Sequence, residues 1–436
     1  MKRNATWAAG ALLAGLFTGF GSGTSEAQTV DENLITPNLP LEFDRGRNVG
    51  VLQRERPEYQ AVGVRLLNFT FYPRVEAGIG YTDNAYQISG GSVSDGFVTI
   101  SPSVTASSNW AVNQLTLDAT YRAKRFFSET PRNEDNYSVG ANGRLDVTRS
   151  FTLDTQLRTA RNTEPRASAA SPQDAAEAVQ YRQTSGGIGA TFSGAKVRGQ
   201  VNANFDRLSF DDVRTFAGGT LDQNNRDQTV LRVTGRGEFA ISPDTSLFAQ
   251  VGHTDTQYDQ PLAFRVPNRD SKEINLLGGA TFDLSALIRG AVGVGYVDRR
   301  YNAPIYRDLS GFATEAKIEY FPSQLTTLGV TVRRTVQDSY FFNSSGYFAT
   351  AGAVRVDHEL LRNLLLNAQV AYEVDDFTEN AGSIKIFRVS GGGRYLLSRR
   401  FGFGFVIGHD KRSGTGDIAT NTFNETRALI SVIVQR

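Results

Sequence analysis

Histidine is the residue type most often found at the centre of protein chemistry, and this chain has three: His253, His358 and His409. They fall on separate candidate strands with no metal-ligand spacing among them, and read as ordinary lumen or rim residues. The chain has no cysteine, which removes disulfides, thiolate metal sites and a lipidated cysteine anchor. No Gly-x-Ser-x-Gly elbow occurs. Gly293 and Gly295, and Gly402, Gly404 and Gly408, lie inside strand-like segments, where small residues ease curvature; a phosphate cradle needs a strand-to-helix turn. Asp211-Asp212 and Asp375-Asp376 border long connections. As pairs they could serve a hydrolase or bridge a divalent cation, but solvated loop acids are the simpler reading. No enzyme, cofactor or metal is expected.

The polar chemistry that remains is spread along stripes. From Val197 to Asp206, Val197, Gly199, Val201, Ala203 and Phe205 alternate with Arg198, Gln200, Asn202, Asn204 and Asp206. A helix, repeating about every 3.6 residues, cannot keep such a set on one face, whereas a strand with a period of two can. Further apolar stripes are Leu364, Leu366, Ala368, Val370, Tyr372 and Val374, then Phe151, Leu153 and Leu157, then Leu115, Leu117, Ala119 and Tyr121. The opposite stripes hold Arg144, Arg158, Arg198, Arg232, Arg236, Glu238, Arg333, Arg355, Glu373, Arg388 and Arg394, joined by Asp154, Glu315 and Lys317. Charged groups tolerate such positions only if paired or wet. One face in lipid and one in water describes the wall of a closed membrane barrel, so these charges should line the lumen and border any path a solute takes. Arg334 falls on the apolar stripe and is expected near a rim, where it can snorkel.

The elements that position these stripes can be counted. Eighteen candidate strands (sixteen being the alternative count) fall near 71–81, 97–108, 114–127, 135–147, 151–163, 180–193, 197–206, 227–241, 245–256, 271–284, 287–299, 311–320, 326–338, 347–358, 364–375, 384–397, 401–410 and 424–436. Short connections such as Thr148-Arg149-Ser150, Gly194-Ala195-Lys196 and Ser242-Pro243-Asp244 alternate with long ones at 164–179, 207–226, 257–270 and 411–423. An antiparallel up-and-down barrel sorts its connections in this way, with tight periplasmic turns and longer external loops. The fold class is therefore all-β, a transmembrane antiparallel barrel with both termini periplasmic. Phe71, Tyr72, Tyr81, Phe126, Phe127, Phe239, Tyr320, Phe321 and Phe401 stand near strand ends and read as an interfacial girdle. Tyr86, Phe216, Phe264, Tyr306, Phe341 and Phe342 lie in loops and are better placed to stack on sugar rings.

Residues 1–27 have the form of a secretory signal: Lys2 and Arg3, an apolar run from Ala5 to Phe20, and Ser25-Glu26-Ala27 at the cleavage point. Removing them takes 46 Lys and Arg and 45 Asp and Glu to 44 of each, so no basic bias points to nucleic acid. Forty-three glycines and a single methionine suit a barrel better than packed helices. Residues 28–70 carry Pro37, Pro40 and Pro57 without sustained alternation and read as a periplasmic arm, too short for a folded plug. The barrel then occupies 71–436.

Arg56-Pro57-Glu58-Tyr59, Gly63, Arg65, Phe69, Phe71-Tyr72-Pro73, Tyr81 and Asp83-Asn84 resemble the opening of the outer-membrane barrel family called putative β-barrel porin 2. Members often sit beside genes for capsule or exopolysaccharide synthesis. The resemblance implies a signal peptide, a short arm and a large barrel in the outer membrane of a Gram-negative bacterium. The chain departs from many such barrels in ending Ile433-Val434-Gln435-Arg436 rather than on an aromatic residue. The expectation that follows is a conduit for a secreted polysaccharide: an anionic chain in weak, repeated contact with lumen arginines, lipopolysaccharide around the wall, and residues 28–70 docking a periplasmic export component. The alternative is a general diffusion porin for small solutes, with the 207–226 loop folded inward as a constriction. A structural or adhesive barrel and a barrel enzyme are further readings with less support.

Overall fold

The computed structural model describes residues 49–263, 265–284, 287–339, 345–377, 382–416 and 422–436. The proposed signal sequence, the first part of the arm, and Phe264, Phe341 and Phe342 lie outside the described residues.

The strands are β1 (Val64–Leu66), β2 (Phe69–Thr82), β3 (Asp95–Ser108), β4 (Gln114–Phe126), β5 (Glu134–Thr148), β6 (Phe151–Thr163), β7 (Gln180–Ser193), β8 (Val197–Phe210), β9 (Val213–Arg214), β10 (Thr220–Leu221) and β11 (Gln228–Ser242). They continue as β12 (Thr245–Tyr258), β13 (Ser271–Leu284), β14 (Ile288–Tyr301), β15 (Leu309–Ser323), β16 (Thr326–Asp338), β17 (Gly346–Leu361), β18 (Leu364–Phe377), β19 (Gly382–Leu396), β20 (Phe401–Gly414) and β21 (Phe423–Gln435). The sheet has 19 strands. Its first, β1, only extends the edge of β2 through Val64↔Phe71, Arg65↔Thr70 and Leu66↔Phe69. The remaining eighteen form a closed antiparallel barrel: each pairs with the next along the chain, β8 passes to β11, and β21 returns to β2 from Arg74↔Gln435 to Thr82↔Arg427. Closure leaves no open edge, as a strand-built membrane protein requires. β9 and β10 form a small hairpin outside the wall.

Alternation fixes the faces. Leu157, Ile188, Val201 and Ile407 are more than half exposed on the outside. Arg236, Glu315, Glu373 and Asp410 are buried inside. Because directly paired residues of an antiparallel ladder share a face, register carries each polarity around the barrel. The rows Gly237–Ala249–Gly278–Val294 outside and Arg198–Glu238 inside follow from pairing alone.

All three histidines fall on the outward-facing register rather than in the lumen; His358 and His409 bond Thr326 and Thr426 at 2.9 and 3.0 Å. Arg334 also faces outward, over the Phe348 ring at 4.6 Å and bonded to Thr350. In the proposed girdle, Tyr81, Phe127, Phe239, Tyr320 and Phe401 are exposed outside, whereas Phe126 and Phe321 are buried within. Phe126 packs on Phe97 at 5.5 Å, and Phe321 lies beneath the Arg289 guanidinium. Among the loop aromatics, Tyr86 and Phe216 touch but Tyr306 is buried, its hydroxyl bonded to Pro267 O at 2.8 Å, so these three offer no continuous stacking path.

Candidate functional site: the lumen and its two mouths

The eleven charged residues named from the sequence all lie on the inward-facing register. They are not a free basic track. Arg144 pairs with Asp146 at 3.0 Å, Arg158 with Asp118 at 3.0 Å, Arg236 with Glu238 at 2.6 Å, Arg355 with Asp357 at 3.0 Å and Arg388 with Glu373 at 3.3 Å. Arg198 stands opposite Glu238 in the ladder, Arg333 opposite Glu315, and Arg394 lies beside Arg74 and Glu76. Arg232 reaches the Thr254 hydroxyl at 3.4 Å, and Arg236 also covers the Phe248 ring at 3.7 Å. The lumen wall is thus close to neutral over distances of a few ångströms. Charges withdrawn from bulk water survive by pairing, and the sequence stripes showed the cations more clearly than their partners Asp118, Asp146 and Asp357.

At the rim with the longer loops, residues 164–179 enter the mouth. Glu164 and Arg226 are both buried and form a two-pronged ion pair, one prong at 3.0 Å, with the guanidinium over Phe210 at 3.9 Å. Arg166 bonds back to the carbonyls of Ala175 and Gln173; burial, then the nearby Arg132 and Arg412, push its pKa down to about 10. The stretch Ala167-Ser168-Ala169-Ala170-Ser171 carries only small uncharged side chains. Ala167 and Ala169 therefore fit against Tyr347, Phe377, Ile384, Ile386 and Phe423 on the far wall, and Arg412 donates to Ala167 O at 3.2 Å. Ala175, Val179, Tyr181, Leu208 and Val213 hold the near side. The inward segment is therefore 164–179. The expected 207–226 loop is mostly elsewhere: β8 runs on to Phe210, and the charged hairpin beyond it is exposed at Phe216. Asp375 is buried near Arg412, not a solvated loop acid, while Asp376 is exposed.

A second element covers this mouth. The β16–β17 hairpin leans inward at its long-loop end. Asp338 meets Arg299 of β14 at 2.6 Å and accepts from the Tyr258 hydroxyl of β12 at 2.8 Å. Ser345 O accepts from Tyr301 at 2.8 Å, and Arg269 donates to Ser339 O. Both contacts reach past β15. Between the leaning hairpin and loop 164–179 lies a cavity of about 110 Å³, bordered by Glu164, Leu208, Arg226, Tyr258, Arg299 and Val336.

The opposite mouth receives residues 49–60. Val51 is fully buried, its N–H bonded to Thr327 at 3.0 Å. Arg56 pairs with Glu359 at 2.5 Å, and Arg54 with the same carboxylate at 3.3 Å. Arg399 donates to Pro57 O and Gln435 to Tyr59 O, at 2.9 and 3.2 Å, which carries the chain across to the β20–β21 side. Sequence reading missed this seat, because its signal is a lumen acid, Glu359, far away in the chain.

Among proteins with curated descriptions, none matches this chain. Solved structures with similar architecture include the siderophore receptor PirA from Acinetobacter baumannii (TM-score 0.47, 6% identity, covering 83% of this chain and 80% of that one). The outer membrane protein OpdK from Pseudomonas aeruginosa has TM-score 0.43 and 11% identity, covering 84% of this chain and 99% of its own. A mutant of the ferric enterobactin receptor PfeA from Pseudomonas aeruginosa has TM-score 0.47 and 8% identity, covering 86% and 81%. The family model described as Putative beta-barrel porin 2 matches residues 56–436, and the chain belongs to that family of outer-membrane, porin-like β-barrels.

Proposed function

We propose that this protein is a restricted diffusion channel for small polar solutes across a Gram-negative outer membrane, exported by residues 1–27 and oriented with its short turns and both termini in the periplasm. The observation that carries this reading is loop 164–179, buried inside the long-loop mouth and fastened by Glu164–Arg226. A segment of that kind limits passage to molecules smaller than the barrel bore. The conduit for an anionic polysaccharide draws less support, since the arginines that would meet the polymer have acidic or hydroxyl neighbours. If a periplasmic partner exists, residues 28–48 would be available to hold it, because 49–60 occupy the barrel's own mouth.

Liposome swelling with sugars of increasing size tests the proposal. Pentoses and hexoses should enter and oligosaccharides should not, and removal of 167–172 should raise the limit. Exclusion of every sugar by both forms would refute the channel. Ready entry of acidic oligosaccharides into liposomes carrying the intact chain would restore the conduit.

A further inference from the structure

One stretch of the lumen wall presents side chains that the rest of the chain leaves unengaged. On β8 the three successive inward positions Gln200, Asn202 and Asn204 are all amides, and β6 adds Gln156. Register draws them into one strip at mid-height. Gln156↔Gly187 and Gly187↔Asn204 form one inward row, and Asn202 stands in the next row, opposite Gly189. Among the described residues, Gln156, Gln200, Asn202 and Asn204 have no side-chain hydrogen-bond partner. Elsewhere the chain uses its amides to tie down segments: Asn84 donates to Ile88 O and Asn424 O at 2.9 and 3.0 Å, and Gln223 to Asp211 O at 3.0 Å.

The strip is not what a merely wet wall needs. Asn and Gly are both depleted from strands, where Thr is favoured. Yet the two kinds of residue occur together and fit each other. A Cβ on Gly187 would stand 2.6 Å from Asn204 Oδ1, and one on Gly189 would stand 2.6 Å from Asn202 Oδ1. The glycines thus leave room for both amides to lie against β7. The charges around the strip cancel. Arg158–Asp118 lies toward the long-loop end, at 3.0 Å, and Arg144–Asp146 and Arg236–Glu238 toward the short turns, at 3.0 and 2.6 Å. Arg232, opposite Asn204, has Asp206 beside it. An ion gains little from such a balanced surround to offset its lost hydration. An amide supplies two donors and an acceptor, which suits a solute whose hydroxyl groups donate and accept at once.

We propose that the β6–β8 strip is a docking track for neutral polyhydroxylated solutes, free sugars and sugar alcohols, held by repeated amide–hydroxyl hydrogen bonds. This names the class of solute for the channel proposed above and rests on the lumen being its path. Such contacts are favourable yet easily left, as passage through a pore requires. Titration of the full chain in detergent, read by saturation-transfer NMR on the solute, tests the track without requiring conduction. Glucose and sorbitol should give saturable signals, and glucuronate should bind no more tightly than glucose. Asn202→Ala/Asn204→Ala should weaken glucose binding about tenfold. Gly187→Ala/Gly189→Ala keeps both amides but rotates them away from β7, and should weaken binding severalfold. Heat-dependent mobility on gels shows which variants are folded; if only one is, that one decides, and if neither is, the glucose and glucuronate titrations decide. No saturable glucose signal, tighter binding of glucuronate, or unchanged glucose affinity in a folded variant would overturn the proposal. Sugar swelling keeps the two readings apart. Binding without entry refutes the channel and leaves the strip as a binding site, whereas entry without saturable binding refutes the track alone.

Discussion

At the residue scale, the lumen is built from small neutralising units. Arg74/Glu76, Arg144/Asp146, Arg236/Glu238 and Arg355/Asp357 each place a cation and an acid two positions apart, which on a strand means the same face. That spacing stands in the sequence, but only Arg236 and Glu238 are both picked out by the stripes; Asp146, Asp357 and the Arg74/Glu76 pair are not. Pairs such as Arg158–Asp118 and Arg56–Glu359 were not legible, because register and a returning segment bring them together from distant parts of the chain. Glu164→Ala should leave the buried Arg226 guanidinium without its carboxylate, and breaking a buried pair in this way costs about 3–5 kcal/mol. The expected outcome is a loosened loop on an intact barrel: limited proteolysis should cut within 164–179 while heat resistance in detergent is retained. Asp338→Asn removes the charge that Arg299 and Tyr258 hold. It should free the hairpin end, read as faster hydrogen exchange at Val336 and Gln337 than in the unmodified chain.

At the element scale, strand positions followed closely from alternation, but several ends did not. The 197–206 expectation stops short of Phe210 because the pattern reverses there. Leu208 and Phe210 face inward and are apolar, since loop 164–179 packs on them, while Arg207 faces outward and pairs with Asp259. Tyr347, Phe377, Ile384 and Phe423 show the same reversal on the far wall. Beyond the lipid band the outside is wet and the inside is covered, so the period of two persists with its polarity exchanged. The alternative porin reading takes 207–226 as the constriction because it is long; the small side chains of 164–179 that let it pack inside the mouth carry no comparable signal. The loop over 83–94 gives a pH test. Burial first, then the hydrogen bond to Glu129, pushes the Tyr86 hydroxyl up to about 12. A phenol whose folded-state pKa is raised stabilises fully below its ordinary value near 10 and loses that contribution as pH climbs through the raised value. Protease sensitivity of 83–94 should therefore increase between about pH 10 and 12, and Tyr86→Phe should show no such step.

At the scale of the whole molecule, the container was readable and the closures were not. Lipid outside and polar groups inside dictate a period of two over the whole barrel, and an even number of strands lets β21 return antiparallel to β2. Nothing in that periodicity records that 49–60 occupy one mouth, that 164–179 enter the other, or that one hairpin leans in. Each is held by contacts between distant parts of the chain, among them Glu359 for the first, Arg226 for the second and Arg299 for the third. The molecule is thus a barrel of lipid-facing wall whose interior is partitioned by its own chain, and in the proposed channel a solute has to pass through what that partition leaves.

Neighbouring residues on β8 test this directly, since Val201 is exposed on the outside and Asn202 points into the lumen beside Gly189. Single-channel current is recorded for Val201→Cys and Asn202→Cys before and after a charged, water-soluble thiol reagent. Current through the Asn202 variant should fall as the reagent attaches, while the Val201 variant should carry its current unchanged. Equal responses from the two, or no current through either, would contradict a wet lumen behind a lipid-facing wall.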